Sequence, residues 1–359
     1  MGARTGRAAT VFAATVVHGN ARELGMTVAP ARADRRRERN YAAVDLGTNN
    51  CRLLIAQAEG EGFRVVDAFS RIVRLGEGVA ASGALSAAAM DRSVDALKIC
   101  ADKIARRGVW DLRCVATAAC RAAGNSEHFV RRVRKETGLR LDVIDAREEA
   151  ALAMDGCMSL LQSHDGPALV FDIGGGSTEF ALSHPGADGV HKLERFGTFP
   201  VGVVNFAEDF GGDRVDGDTY GRMVARAEGI FGAFADEARA LYPLSRLKLV
   251  GTSGTVTTLA GVFLNLMRYD RTMIDGLAVP ATDMVEIAEH LRGLSLSERS
   301  RHPCVGPGRA DLVIGGCAIL QAILNLWPVE EITVADRGLR EGILLRLIRS
   351  DAALMAAGD

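Results

Sequence analysis

A short apolar strand that ends in aspartate, turns on glycine and returns as a second apolar strand occurs twice in this chain. That repetition constrains the fold more than any other feature. Tyr41 to Val44 runs into Asp45-Leu46-Gly47-Thr48-Asn49-Asn50 and returns over Cys51 to Ala58. Ala168 to Phe171 runs into Asp172-Ile173-Gly174-Gly175-Gly176-Ser177 and returns over Thr178 to Leu182. Each hairpin is followed by a third strand-like stretch, Phe63 to Val73 and Val190 to Phe199, and then by alternating helical and strand patterns. Such a repeat predicts two related α/β domains around a cleft. The boundary is expected in the polar stretch Ser163 to Pro167. This gives domains over residues 41–164 and 165–359, with the last helix, from Leu339, free to pack back on the first domain.

The two turns point to phosphate chemistry. Glycine bends the backbone tightly and removes side chains, so that N–H groups can approach a phosphate. On this reading Gly47, Thr48, Asn49 and Asn50 face Gly174, Gly175, Gly176 and Ser177. Asp45 and Asp172 stand at the mouths of the turns, where a carboxylate can hold a divalent cation or its water. A third loop, Gly251-Thr252-Ser253-Gly254-Thr255, follows a strand and opens a helix. Its amides and the helix N-terminus favour an anion, although serine and threonine there also suit a simple helix cap. There is no GxxxxGK[ST], which excludes a P-loop. A dinucleotide-binding turn needs a helix after its glycines, whereas Thr178 to Leu182 alternates like a strand.

Composition narrows the function classes. A formal net charge of -2 marks neither a nucleic-acid binder nor a membrane-surface protein, so a polyanion must be held by a local site. The seven cysteines, Cys51, Cys100, Cys114, Cys120, Cys157, Cys304 and Cys317, form no CxxC pair. They read as small core residues in a reducing, cytoplasmic compartment. Leu312 to Trp327 is apolar but too short to span a bilayer, and is expected to be a buried helix. Residues 1–40 read as a disordered tail or a misassigned start, Met26 being one alternative start. Arg4 and Arg7 before the apolar Ala8 to Val17 suggest a secretion signal, but no clear cleavage site follows.

Together these motifs resemble those of the exopolyphosphatase / guanosine pentaphosphate phosphohydrolase family. The hairpin run from Asp172 to Glu179 is the most specific match. Val73-Arg74-Leu75-Gly76-Glu77-Gly78, Arg121 after Val115-Ala116-Thr117, Glu148-Glu149-Ala150 and Asp336-Arg337-Gly338-Leu339-Arg340-Glu341-Gly342 extend it from about Tyr41 to the C-terminus. The resemblance implies two ribonuclease-H-like domains of the actin, sugar-kinase and Hsp70 superfamily. It implies that Glu149 is the catalytic glutamate that activates water. Asp172 and Glu179 would organise Mg²⁺ or another divalent cation, and Arg121 would clamp phosphate. The implied substrate is inorganic polyphosphate, cut at its end, or guanosine pentaphosphate, with homodimerisation left open. A small-molecule kinase and a nonenzymatic nucleotide-binding protein of the same superfamily are the rivals. Read without the resemblance, Glu148-Glu149 is a solvated first helical turn and Arg121 a surface ion pair.

Overall fold

A computed structural model describes residues 39–60 and 62–357. The expectations for residues 1–38 therefore lie outside the described residues. Two mixed sheets carry the fold. The first is built from β1 (Asn40–Leu46), β2 (Asn50–Glu59), β3 (Gly62–Ile72), β4 (Val109–Ala116) and β5 (Leu141–Val143), in the order β3-β2-β1-β4-β5. The second contains β6 (Ala168–Ile173), β7 (Thr178–Pro185), β8 (His191–Phe199), β9 (Lys248–Thr252), β10 (Ala278–Pro280) and β11 (Glu331–Val334). Its order is β10-β11-β9-β6-β7-β8. In each sheet the first three strands form an antiparallel meander; β4 and β9 then add in parallel to its first strand, and β5 and β11 in parallel to those. This is the ribonuclease-H-like pattern, present twice. The second copy gains β10, antiparallel to β11. Its three residues are too few to show a period, so the sequence pattern does not reveal it.

The central strands β1 and β6 are apolar and buried on both faces, as strands covered by helices on either side must be. The edge strand β3 instead has no buried residue, mixing half-buried with exposed positions. The apolar stretch near the C-terminus forms a buried helix, Val313–Leu326. It packs with Phe180, Phe231 and Trp327 in the core of the second sheet. All seven cysteines are free and buried. Among the described residues no helix is long and apolar enough to cross a membrane.

Two helices exchange partners between the halves. Helix Ala146–Cys157 follows β5 in sequence, yet its Ala150, Met154 and Cys157 pack with Ala168, Val170 and Val250 of the second sheet. Helix Leu339–Ala357 follows β11, yet its Ile343, Leu344 and Ile348 pack with Tyr41, Ala43, Leu54 and Val115 of the first. The two helices meet without side chains between them. A β-carbon on Gly342 would lie 1.9 Å from Leu152 O, and one on Gly156 would lie 2.0 Å from Gly338 O. With the helices so crossed, the two hairpin turns come together, Gly175 lying against Thr48 and Asn49.

Candidate active site

The hairpin turns share one hydrogen-bond scheme. Gly47 N donates to Asn50 O at 2.9 Å and Gly174 N to Ser177 O at 2.8 Å. The remaining turn carbonyls are engaged from behind. Asn49 O accepts from Val73 N (2.9 Å) and Arg74 N (3.0 Å), and Thr48 O from Gly76 N (2.9 Å). Gly174 O and Gly175 O accept from Val203 N (3.0 Å) and Val204 N (2.8 Å). Carbonyls held away from the cleft leave the N–H side of each turn for a ligand. The turns themselves touch: a β-carbon on Gly175 would sit 3.0 Å from Thr48 Cβ and 3.1 Å from Asn49 N.

A cavity of about 120 Å³ opens beside this contact. It is lined by Asp45, Gly47, Thr48, Asn49, Asn50, Glu149, Asp172, Gly174, Gly175, Ser177, Glu179, Ser253, Gly254 and Thr255. Most of the expected site is therefore brought together, including residues from three separate loops. Gly176, Gly251, Thr252 and Arg121 do not line this cavity. Gly176 lies against Thr48, and Gly251 lies at the end of β9 with the Phe171 ring where its side chain would be. Both glycines serve close approach between elements. Thr252 donates its hydroxyl to Arg337 O at 2.8 Å and lines a neighbouring cavity of about 330 Å³. A glycine-rich motif cannot by itself say which of its glycines face a ligand and which face the protein.

Glu149 enters the cleft from the first turn of its helix, which Asp145 caps by accepting from Glu148 N at 2.8 Å. Glu148 turns the other way, to Arg113 at 2.7 Å. Glu149 pairs with Arg121, Nη1 to Oε2 at 2.5 Å, and Arg121 also donates to Ile144 O at 3.1 Å. Arg121 thus forms the wall behind Glu149. Burial raises the Glu149 carboxyl to about 7, against the pull of Arg121 and with a push from Asp45 and Asp172. A carboxylate poised near neutrality suits general-base work.

The two hairpins differ at one register position. Asp45 stands opposite Arg52 on β2, whereas Asp172 stands opposite Glu179 on β7. Like charges directly opposite destabilise a sheet. Burial, with Asp45 adding to it, lifts Asp172 to about 6, and burial together with Glu149 and Asp172 lifts Glu179 well above the usual carboxylate range. Glu179 accepts from the Ser177 hydroxyl and from Thr198 Oγ1, the latter at 3.3 Å. Four carboxylates thus surround the cleft, with Arg52 and Arg309 as the only arginines lining the smaller cavity among the described residues. That donor set fits a divalent cation that also takes substrate oxygens and waters. Among the described residues no group of three or more His, Cys, Asp or Glu side chains could by itself hold a metal ion.

Sequence reasoning missed Arg52 and Arg309. Arg52 was findable, since it lies seven residues after Asp45 as Glu179 lies seven after Asp172. Arg309 comes from a loop between helices and carried no local signal. Its guanidinium donates to Thr258 Oγ1 at 3.1 Å and lies 3.4 Å from where a Gly254 side chain would begin. Among the described residues, two polar atoms at the cleft have no partner: Ser253 Oγ and Asn49 Oδ1. Ser253 also holds φ at 104°, a conformation that costs a non-glycine residue energy and clusters at functional sites.

Comparison with known proteins agrees with this geometry. The chain is 32% identical over 321 residues to exopolyphosphatase 2 of Mycobacterium tuberculosis, covering 85% of this chain and 98% of that one. It is 28% identical over 316 residues to the guanosine-5'-triphosphate,3'-diphosphate pyrophosphatase of Aeromonas hydrophila, covering 86% of this chain and 59% of that longer one. The solved Ppx/GppA family member of Aquifex aeolicus superposes with a TM-score of 0.73 at 28% identity, over 87% of this chain and 98% of that one. The profile of the Ppx/GppA phosphatase family matches residues 54–351, and the chain belongs to that family.

Proposed function

We propose that this protein is an exopolyphosphatase that hydrolyses the terminal phosphoanhydride of inorganic polyphosphate and releases orthophosphate. The observation that carries the reading is Glu149, a carboxylate raised to about 7 beside two facing phosphate-type turns. The amides of the two turns and the N-terminus of helix Gly254–Phe263 bind the terminal phosphate, and the unpartnered Ser253 hydroxyl donates to it. Arg52 and Arg309 offset the charge of the penultimate phosphates. Glu149 accepts a proton from a water aimed at the terminal phosphorus. The new P–O bond forms as the bridging P–O bond breaks, and the pair of electrons leaves on the shortened chain. Arg121 orients Glu149 and is drawn toward phosphate as Glu149 becomes neutral. Asp172 and Glu179, with Asp45 nearby, are the residues that would hold Mg²⁺, which supplies charge neutralisation at the phosphate oxygens.

A second reading is guanosine pentaphosphate, hydrolysed at its 5' end. It is favoured by the neighbouring 330 Å³ cavity, which shares Asp45, Arg52, Asp172 and Arg309 with the smaller one and adds Tyr269 and Arg340. That space could receive a nucleoside. We also place the protein in the cytoplasm, because seven buried free thiols suit a reducing compartment.

The test is phosphate release from long polyphosphate, short polyphosphate, guanosine pentaphosphate and ATP, each with and without Mg²⁺ and with no acceptor. Release from polyphosphate that outpaces the others supports the first reading. Turnover only when a small acceptor is supplied would identify a kinase instead, and binding without turnover would identify a nonenzymatic protein.

A further inference from the structure

The segment Ile72 to Gly78 joins the first phosphate turn to the opposite half of the molecule. Behind it, Val73 N, Arg74 N and Gly76 N hold the Thr48-Asn49 carbonyls. In front, Arg74 Nη2 reaches Asp311 across the cleft, 3.1 Å from Oδ1 and 2.9 Å from Oδ2. Beside that pair, Gly78 N donates to Glu208 Oε1 at 2.9 Å, and Ile72 fills the space next to Gly308. Arg74 holds this position at φ 46°, in the left-handed region that a β-carbon disfavours. Surrounding contacts must therefore over-determine it.

The far side of the pair is rigid. Asp311 lies two residues after Arg309 and two before Val313, the first residue of the following helix. Its loop is pinned by the buried Arg299, which donates to Ala310 O (2.9 Å), Leu294 O (2.8 Å) and Gly212 O (2.7 Å). The Arg74–Asp311 contact therefore links, through short stiff connections, the turn that binds phosphate from one half to the arginine that does so from the other. Neither side chain lines either cavity.

We propose that Arg74 and Asp311 form a closure latch, and that Arg74 is a positioning residue setting the spacing between the Thr48-Asn49 turn and Arg309. The claim rests on the phosphohydrolase reading for its kinetic arm and stands apart from it in its structural arm. The latch favours the closed, binding-competent form of the free protein. Breaking it lowers the population of that form and so raises KM, whereas bound substrate restores closure and keeps kcat. Both side chains are about one-third exposed, so the effect should be modest, at most about fivefold in KM.

The experiment is a double-mutant cycle with Arg74→Met, Asp311→Asn and the two combined, in the full chain with Mg²⁺. Phosphate release from polyphosphate gives KM and kcat, thermal unfolding checks folding, and small-angle scattering without substrate gives the radius of gyration. A latch predicts raised KM in each single variant, kcat within about twofold, and a combined variant no worse than either single. It also predicts a larger radius of gyration in all three variants. Additive losses in the combined variant would mean that Arg74 acts on phosphate directly, and would overturn the latch, as would an unchanged KM. If the unaltered protein released no phosphate from any substrate, the function proposed above would fail instead. Scattering would still decide the latch, and equal radii across the four proteins would overturn it.

Discussion

Replacing Glu149 by Gln should abolish most activity and, at the same time, stabilise the protein. In the folded chain burial holds the Glu149 carboxyl near 7 rather than at its ordinary 4.5. Between those two pH values the folded chain retains a proton that the unfolded chain releases, so the contribution of Glu149 to stability falls as pH rises through this window. Above pH 7 the cost is roughly 3–4 kcal/mol, from a rise of about 2.5 pH units at about 1.4 kcal/mol each. Gln keeps the shape and removes that cost, and its amide oxygen still accepts from Arg121, which also keeps Ile144 O. The expectation is a gain of roughly 3 kcal/mol at pH 8, or a rise in Tm of roughly 4 °C, most of which should vanish near pH 4.5. The same variant should lose roughly 10²- to 10⁴-fold in kcat if Glu149 is the general base. Thermal unfolding at pH 4.5 and pH 8, beside phosphate release under saturating polyphosphate, reads both. A variant that retained activity, or that was destabilised equally at both pH values, would refute the assignment of Glu149 as a strained base.

Other outcomes follow from the same geometry. Glu148→Gln should cost little activity, because Glu148 faces Arg113 outside the cleft; the kcat ratio of the two glutamine variants checks it. Asp172→Asn should raise the Mg²⁺ concentration for half-maximal activity, since it removes one of two opposed carboxylates; a Mg²⁺ titration of phosphate release reads this. Gly342→Ala should destabilise the protein by about 1–3 kcal/mol in denaturant melts, because its methyl would press on Leu152 O at the helix crossing. On long polyphosphate the protein should act distributively, since the cleft offers few cations against four carboxylates and grips a shortened chain weakly. A gel time course should show the whole population shortening together rather than intact chains beside fully degraded product.

Much of this was legible in the sequence because the hairpins are local. A strand, an aspartate and a glycine turn are neighbours in the chain, and both hairpins form; the matching Gly47–Asn50 and Gly174–Ser177 hydrogen bonds are what the structure adds. What was not legible depends on distance along the chain. Arg309 comes from a loop whose Ala310 carbonyl is held by Arg299, buried ten residues earlier. The packing roles of Gly176 and Gly251 are set by Thr48 and Phe171, which no motif around those glycines announces. The exchange of the two crossing helices likewise depends on Gly156 and Gly342 meeting the backbone of the other helix, although each lies more than 180 residues from its counterpart.

The register difference between the hairpins explains why a repeated fold yields a site that is not symmetric. The Asp45–Arg52 pair is neutral within its own hairpin and leaves the first turn free to face anionic oxygens. The Asp172–Glu179 pair carries two negative charges on one face, and burial makes both costly. Such a pair is relieved either by a proton, the direction in which burial pushes both carboxyls, or by a cation. A phosphate held at the first turn and an ion held at the second would then compensate one another, and each should bind more tightly in the presence of the other. Glu149 stands where the fields of both hairpins overlap, since Asp45 and Asp172 both raise its carboxyl. Neutralising the second hairpin would lower that push and ionise Glu149, so occupancy of the acidic half should itself switch on the base. It follows that the apparent pKa of the acidic limb of kcat should fall as Mg²⁺ is raised from limiting to saturating, and that Asp172→Asn should start from an already lowered limb. A limb that stayed fixed across the Mg²⁺ range in both proteins would uncouple the two hairpins and break the argument.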